Sequence, residues 1–367
     1  MDFTSTEAAE ELGGLVRTIT ESVCTHEHQR ELDKLEQRFD TELWAKLIDA
    51  DVLSTAAPES IGGGGFGVLE QVEVLVALGR QLGAVPYLES VVLGAGALAE
   101  FGSDAQREQW AAPAVGGQRI LTAALEGETG EGPVRAEVNA DSGHTLTGTR
   151  TLVRFGPVAD GFLVPAETDS GTRVFLVAAD DPGVTVTALN TTGRGSVGRL
   201  ELAGTVLPPD RTVGADEAAL RWIKIRNILG HSAFQLGVLE RALEMTAAYA
   251  REREQFDRPI GSFQAVSQRL ADGYIDIKGL RLTLTQAAWR VSEQMPADVD
   301  VHTAAFWAAE AGHRVAHTAV HVHGGVGIDI DHPVHRYFLA AKQTEFTLGS
   351  ATGQLLQIGG QLADTPV

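Results

Sequence analysis

Residues 253–264 read Arg253-Glu254-Gln255-Phe256-Asp257-Arg258-Pro259-Ile260-Gly261-Ser262-Phe263-Gln264. They form the joint between two long helical patterns, and that joint decides the fold. Apolar residues at helical spacing run from about Ala215 to Arg253 and stop short of Pro259, which cannot continue a helix. A second helix is expected after Pro259, with Ser262 as its N-cap, extending to about Glu293 before Met295-Pro296 breaks it. A third pattern covers Val301 to His323 and ends in a glycine turn, His321-Val322-His323-Gly324-Gly325-Val326-Gly327. The last helices occupy roughly Pro333 to Leu362. Four long amphipathic helices with short joins predict a bundle.

Upstream, the period changes. Arg119 to Leu125, Thr145 to Val153, Gly161 to Val164, Thr172 to Val177, Val184 to Leu189 and Gly198 to Leu202 are short strand-like runs separated by Gly, Asp and Pro. Their spacing predicts a small antiparallel barrel or sandwich. The first third reads as helices again. Thr4-Ser5-Thr6-Glu7 has the form of a capping box with a helix start at Thr4. Helical spacing recurs through Leu32, Leu35, Phe39, Leu43 and Leu47, and through Leu69, Val72 and Val76. Between them, Pro58 to Gly67 holds too many glycines for a helix and reads as a loop, not a phosphate cradle, because no strand precedes it and no Gly-Lys-Ser/Thr follows. The expected class is α+β and mostly α, with an N-terminal helical domain (1–116), a central β domain (117–212) and a C-terminal helical bundle (213–367).

Composition narrows the function. A chain of 367 residues can bury several cores, and a net charge of −20 argues against broad nucleic-acid binding, which needs a basic surface. Any anionic ligand must therefore be met by local arginines and backbone amides. No apolar run approaches the roughly 18 residues of a membrane span, so no membrane partner is expected. The single cysteine, Cys24, and the acidic start Met1-Asp2-Phe3-Thr4, which lacks a basic, apolar leader, fit a cytoplasmic location.

Several segments taken together resemble the acyl-CoA dehydrogenase family. Pro58 to Gly67 is similar to its Pro-Glu-x-x-Gly-Gly-x-Gly loop, and Leu146-Thr147-Gly148-Thr149-Arg150 with Ala159-Asp160 to its Leu-x-Gly-x-Lys strand and following Ala-Asp. The most specific matches are Arg253-x-Gln255-Phe256 with Pro259-Ile260, and Gly324-Gly325-x-Gly327 with Pro333-Val334-x-Arg336. Within the family, the chain looks most like the β-type subunit of heteromeric actinobacterial enzymes that act on steroid side chains. The resemblance implies the family's fold and its cofactor, FAD, shared with a partner subunit. It implies that Arg253, Gln255, Phe256, His321, Gly324 and Gly325 contact the ADP and diphosphate end of a neighbour's FAD. The chemistry suits that role, since a guanidinium presents a planar fork matched to phosphate oxygens and a glycine pair lets backbone amides approach. His321 stands where the family usually has glutamine. The plainer alternative for Arg253 is a cation favoured at a helix C-terminus.

Half of the implied active site is absent. Desaturating an acyl thioester requires a carboxylate to take the α-proton. The family places that glutamate at one of two positions, which align here to Leu348 and Asn227; leucine has no acceptor and an asparagine amide is too weak a base. Where the family reads Thr-Glu-Pro-x-x-Gly-Ser-Asp against the flavin, this chain reads Leu125-Glu126-Gly127-Glu128-Thr129-Gly130-Glu131-Gly132. Glu131 brings a carboxylate toward an anionic cofactor, and Arg154 replaces a hydroxyl residue that touches the ring. The expectation is a subunit with no catalytic residue of its own, paired with a homologous catalytic chain as an α2β2 heterotetramer. The complex would desaturate a steroid (cholesterol) side-chain acyl-CoA and pass electrons to an electron-transfer flavoprotein. One alternative is a self-sufficient homotetrameric enzyme with Glu345 as base, Glu240 and Glu244 being weaker candidates. Another is a non-redox scaffold or acyl-CoA-binding relative. His313, His317 and His321, at helical i, i+4, i+8 spacing with His323 behind them, could ligate a metal, but few carboxylates and no cysteine lie near. The expected metal set is therefore none.

Overall fold

The computed structural model describes residues 5–125, 127, 130–139 and 143–364. The chain opens with α1 (Glu7–Val23), α2 (His26–Leu32), α3 (Thr41–Asp49), α4 (Val52–Thr55) and α5 (Val68–Arg80). A π-helix, Tyr87–Ala95, runs into α6 (Gly96–Phe101), followed by α7 (Asp104–Gln106), a π-helical turn at Arg107–Ala111 and α8 (Ala112–Val115). Eight strands follow: β1 (Leu121–Ala123), β2 (Val134–Val138), β3 (His144–Arg154), β4 (Gly161–Thr168), β5 (Gly171–Ala178), β6 (Val184–Ala188), β7 (Val197–Leu207) and β8 (Thr212–Val213). Then come α9 (Ala218–Glu252), the short strands β9 (Glu254–Gln255) and β10 (Arg258–Pro259), α10 (Gln264–Ser292), α11 (Asp298–His323), α12 (Val334–Thr347) and α13 (Ser350–Asp364).

Three local expectations are corrected. The first helix begins at Glu7 and is capped by Thr6, whose hydroxyl accepts the Ala9 N–H at 3.1 Å; the expected start, Thr4, lies outside the described residues. The pattern from Leu32 to Leu47 is not one helix: α2 ends at Leu32, residues 33–40 are not helical, and α3 starts at the cap set by Asp40. Its carboxylate accepts the Leu43 N–H at 2.9 Å and sits 2.9 Å from His28 Nε2, making a cap where a continuous helix would need a spacer. Ser262 does not cap α10; its hydroxyl donates to the Pro259 carbonyl at 2.7 Å, and the helix starts at Gln264 without a side-chain cap.

The elements gather into two compact units. One takes in the chain up to His26, Val68–Gly83 and everything from Ile228 onward. Apart from the short β9–β10 hairpin it is helical, built on α9 from Ile228 onward, α10, α11, α12 and α13 with α1 and α5 added. Helix α11 carries a stripe of small buried residues (Ala304, Ala305, Ala308, Ala311, Gly312 and Ala319), so several helices pack closely around it. The buried Gln235 amide of α9 donates to the Ala308 carbonyl at 3.2 Å and the Ala341 carbonyl at 3.1 Å, tying α9, α11 and α12 together. Helices α5 and α9 cross with almost no room. A Cβ on Gly79 would lie 2.1 Å from the Phe234 carbonyl oxygen, and one on Gly237 would lie 2.0 Å from that of Val76. Arg80, at the end of α5, reaches Glu240 at 3.0 Å and Glu244 at 2.8 Å, while Tyr337 donates to the Arg80 carbonyl at 2.8 Å.

The other unit spans Glu27–Gly67 and Ala84–Asn227. Its eight strands form one sheet in the order β6-β7-β3-β2-β4-β5-β8, with β1 pairing β4. Pairings are antiparallel except those of β4 with β1 and β2. Strand β4 is buried from Gly161 through Ala166, as a central strand is. Phe162, Val164, Phe175, Val177, Leu146 and Leu200 form the core against it. The long β3–β7 ladder carries two irregularities, the second between Arg150 and Val153, where Leu152 takes a positive φ of 62°. The π-helix Tyr87–Ala95 is buried along its whole length.

Candidate cofactor-binding half-site

Helix α9 ends at Glu252, and the Arg253 N–H closes its last turn on the Tyr249 carbonyl at 2.8 Å. Glu254–Gln255 then pairs antiparallel with Arg258–Pro259. The turn between them, Phe256-Asp257, has φ of 55° and 62°, the two left-handed residues of a type I′ hairpin. Neither residue is glycine or asparagine, so the turn stores strain of about 1 kcal/mol or more per residue. The result is that Phe256 projects outward, 87% exposed, with its ring edge-on to Phe263 and centroids 6.1 Å apart. Arg258 lies 4.1 Å over the Phe263 ring, and the Gln255 amide donates to the Glu254 carbonyl at 2.9 Å. The Ile260 N–H bonds the Arg253 carbonyl at 2.8 Å and fixes the hairpin to the helix end. The Arg253 side chain is exposed and enters no ion pair or side-chain hydrogen bond with the described residues.

Helix α11 ends at His323, and Gly324 turns the chain with φ 63° and ψ −137°. A Cβ at Gly324 or Gly325 would meet no atom within 4 Å, whereas one at Gly327 would lie 2.7 Å from the Val320 carbonyl. The first two glycines therefore leave open approach to backbone amides, and the third permits the tight turn beneath. His321 is exposed on the last turn of α11. The hairpin and the glycine turn belong to one compact unit, and the Tyr249 ring stacks on His323 at 4.4 Å and 22° to join them. Tyr249 and His323 are what sequence reading missed. The available signal was position: Tyr249 lies one helical turn before Arg253, and His323 directly precedes Gly324.

No titratable group stands at either position expected of the base. Leu348 is the C-cap of α12, 4% exposed, and its carbonyl accepts from Gln354. Asn227 is half-buried on α9. Glu345 is buried and clamped, with Lys342 Nζ 2.5 Å from one oxygen and His313 Nδ1 3.4 Å from the other. The carboxylate is ion-paired with Lys342, which also reaches His313 Nδ1 at 3.1 Å, unlike the free, dry carboxylate that abstracts a carbon-bound proton. Glu240 and Glu244 are held by Arg80, and Glu240 also by Arg281. The histidine stripe meets the same cluster: His313 and His317 lie 4.5 Å apart beside Lys342, and burial, with His313 and Lys342 adding to it, pushes His317 down. No group of three or more His, Cys, Asp or Glu among the described residues is arranged to hold a metal ion.

In the sheet unit, Arg154 Nε donates to Glu89 Oε1 at 2.7 Å, with Glu89 buried in the π-helix. The Thr122 hydroxyl bonds the Arg154 carbonyl at 2.7 Å. Glu131 turns to β3, accepting the Thr151 hydroxyl at 2.9 Å and the Thr151 N–H at 3.2 Å. Glu126, Glu128 and Thr129 lie outside the described residues. On α9, Arg226 stacks 3.6 Å over Trp222, and burial pushes the guanidinium down to about 10.

This fold, with its hairpin and glycine turn, is that of the acyl-CoA dehydrogenases. The family's N-terminal domain matches residues 6–118 and its C-terminal domain matches residues 228–363; the chain belongs to the acyl-CoA dehydrogenase family. It is 71% identical, over the full length of both, to Acyl-CoA dehydrogenase FadE27 of Mycobacterium tuberculosis. It superposes on a chain of the ChsE4-ChsE5 complex from the same organism with TM-score 0.98 and 73% identity, covering 100% of both chains. A chain of the Tcur3481-Tcur3483 steroid ACAD, in a variant form, follows at TM-score 0.91 and 38% identity, covering 98% of each. FAD is the family's cofactor. The residues present fit its two ends differently. Arg253, without a side-chain partner among the described residues, and the open Gly324-Gly325 turn suit a diphosphate, whereas Arg154, expected beside a flavin ring, is engaged by the buried Glu89.

Proposed function

We propose that this chain is the non-catalytic subunit of a heteromeric FAD-dependent acyl-CoA dehydrogenase. It pairs with a homologous glutamate-bearing chain as an α2β2 assembly with one FAD per heterodimer. Bound FAD supplies the two-electron acceptor for the hydride that leaves the β-carbon of an acyl thioester. This chain's share is binding and orientation. Arg253 forks onto the diphosphate, the Gly324 and Gly325 amides approach the ADP portion, Phe256 packs its apolar face, and Gln255 and His321 add hydrogen bonds. The partner contributes the carboxylate that takes the α-proton and the pocket for the flavin ring.

The observation that carries this reading is the combination of a leucine and an asparagine at the two base positions with an exposed Arg253 that has no side-chain partner among the described residues. Exposed apolar residues around the same end, Phe256 at 87%, Ile328 at 72% and Ile330 at 65%, suit burial against another subunit. Two relatives of 73% and 38% identity come from two-chain complexes, one of them described as a steroid ACAD. The substrate class we propose is accordingly a steroid side-chain acyl-CoA, with the complex acting as a 3-oxocholest-4-en-26-oyl-CoA dehydrogenase and handing electrons to an electron-transfer flavoprotein. No helix among the described residues is long and apolar enough to cross a membrane, and we place the complex in the cytoplasm. The test is expression of this chain alone and with its partner, followed by flavin stoichiometry and desaturation of a steroid acyl-CoA. Flavin and turnover should require both chains; a lone chain that purifies yellow and turns over would end the proposal in favour of the self-sufficient enzyme.

A further inference from the structure

We infer that the Tyr249–His323 ring stack is a positioning element that holds the Arg253 hairpin and the glycine turn in one register, and so sets how tightly FAD is held. This rests on the half-site reading above. A ligand gripped by two separate chain segments is bound well only when their spacing is fixed beforehand, because otherwise binding must supply the ordering. The geometry meets that need at three points. Tyr249 receives the Arg253 N–H at 2.8 Å, so a shift of its helical turn moves the base of the hairpin directly. His323 is the last residue of α11 and adjoins Gly324, and its Nδ1–H donates to the Ala319 carbonyl at 2.8 Å, which fixes the ring's orientation on α11. The two rings lie nearly parallel, 22° apart, with centroids 4.4 Å distant.

The far end of the glycine turn is pinned to the same ladder. The His332 ring lies 5.1 Å from His323. Its Nδ1 accepts the Val334 N–H at 3.3 Å at the start of α12, and its carbonyl accepts from His335 Nδ1 at 2.6 Å. Tyr249, His323 and His332 thus fasten the hairpin to the entry and the exit of the turn, while the exposed stretch between holds the open glycines. Other titratable and charged groups around the ladder are His26, which lies 3.4 Å from an Arg336 amine, together with His335 and Asp329. Neither Tyr249 nor His323 belongs to the set that would touch the cofactor. Their role acts through Arg253 and Gly324.

The experiment uses the co-expressed two-chain complex, stripped of flavin and titrated with FAD. The variants are Tyr249→Leu, Tyr249→Phe, His323→Gln and Arg253→Ala. Tyr249→Leu should raise the FAD dissociation constant about tenfold, Tyr249→Phe should restore it to within twofold, and the substrate KM at saturating FAD should stay as in the parent. If Tyr249→Leu fails to assemble, His323→Gln takes its place, since the amide can still donate to the Ala319 carbonyl while the ring is gone; the same tenfold loss is expected. Loss of FAD in Arg253→Ala with parent-like affinity in the assembled ring variants overturns this inference and leaves the half-site reading standing. Parent-like affinity in Arg253→Ala overturns the half-site reading and, with it, this inference. Equal losses in Tyr249→Leu and Tyr249→Phe also overturn it, because the ring would then not be the agent.

Discussion

The hairpin and glycine turn of the helical unit and the Arg154 region of the sheet unit treat their charged groups in opposite ways. In the first, Arg253 has no side-chain partner among the described residues, Phe256 stands in solvent on a strained turn, and two glycines leave backbone open. In the second, Arg154 is joined to a buried Glu89, and Glu131 is satisfied by Thr151. A polar group left unsatisfied at a surface is available to a ligand or another chain; one satisfied inside its own unit is withdrawn from both. The contrast teaches that loss of a site can be read from pairing as much as from a missing catalytic residue.

The comparison can be broken most forcefully at Arg154. Arg154→Ala leaves the Glu89 carboxylate buried without its cation, and stability should fall by about 3 kcal/mol, read as a shift in the denaturant midpoint; a change under about 0.5 kcal/mol, the range of an ordinary surface substitution, would show that the region is not closed. Next comes Arg253→Ala. Its charge-assisted contact to a diphosphate should be worth about 2 kcal/mol, or roughly thirtyfold in FAD affinity of the complex. The melting point of the flavin-free complex should not move.

Acid sharpens the comparison from the helical side. Burial is the main cause holding both His323 and His332 below the ordinary histidine value. The folded protein therefore binds fewer protons than the unfolded chain once the pH nears about 6.5. Stability contributed by these rings is present above that value and is lost as the pH falls through it toward the lowered folded values. Protonation also removes the lone pair with which His332 accepts the Val334 N–H. The unfolding midpoint should decline below neutrality, and His332→Asn, which keeps a capping acceptor, should flatten that decline. The smallest effect is expected from Glu131→Gln, under about 1 kcal/mol, with no flavin taken up by the lone chain. Flavin uptake there would show that repulsion by one carboxylate, not closure of the region, had kept the cofactor out.

Most of the helical architecture was legible because proline and glycine punctuate it. Pro259 and Met295-Pro296 separate α9, α10 and α11 where the breaks were expected, and the six strands read from short β-type runs correspond to β1 and β3 to β7. Strand β2 escaped because Val134-Arg135-Ala136-Glu137-Val138 has β-branched residues only at its two ends and no aromatic. The cap at Asp40 was missed and Ser262 was misread for a common reason. A capping side chain is defined by which amide it meets, and a periodic apolar pattern does not contain that information. For the site, residue types gave Arg253 and the glycines, since their chemistry is carried by the residue itself. Pairings such as Arg154 with Glu89, or Tyr249 with His323, join positions far apart in the chain, and one sequence offers no way to match them.

The crossing of α5 and α9 at Gly79 and Gly237 has a consequence for how the protein is made. During synthesis, α5 leaves the ribosome well before the residues that press against it. At ordinary elongation speeds of about 5–20 residues per second, that delay amounts to roughly ten to thirty seconds. Throughout it, the face of α5 that meets α9 is without its final neighbour, although α1 can already pack on α5, while the strands of the sheet emerge from the intervening chain. Nascent molecules should depend on a holdase over that interval, and side chains larger than glycine at either crossing point should leave the N-terminal helices stranded after release.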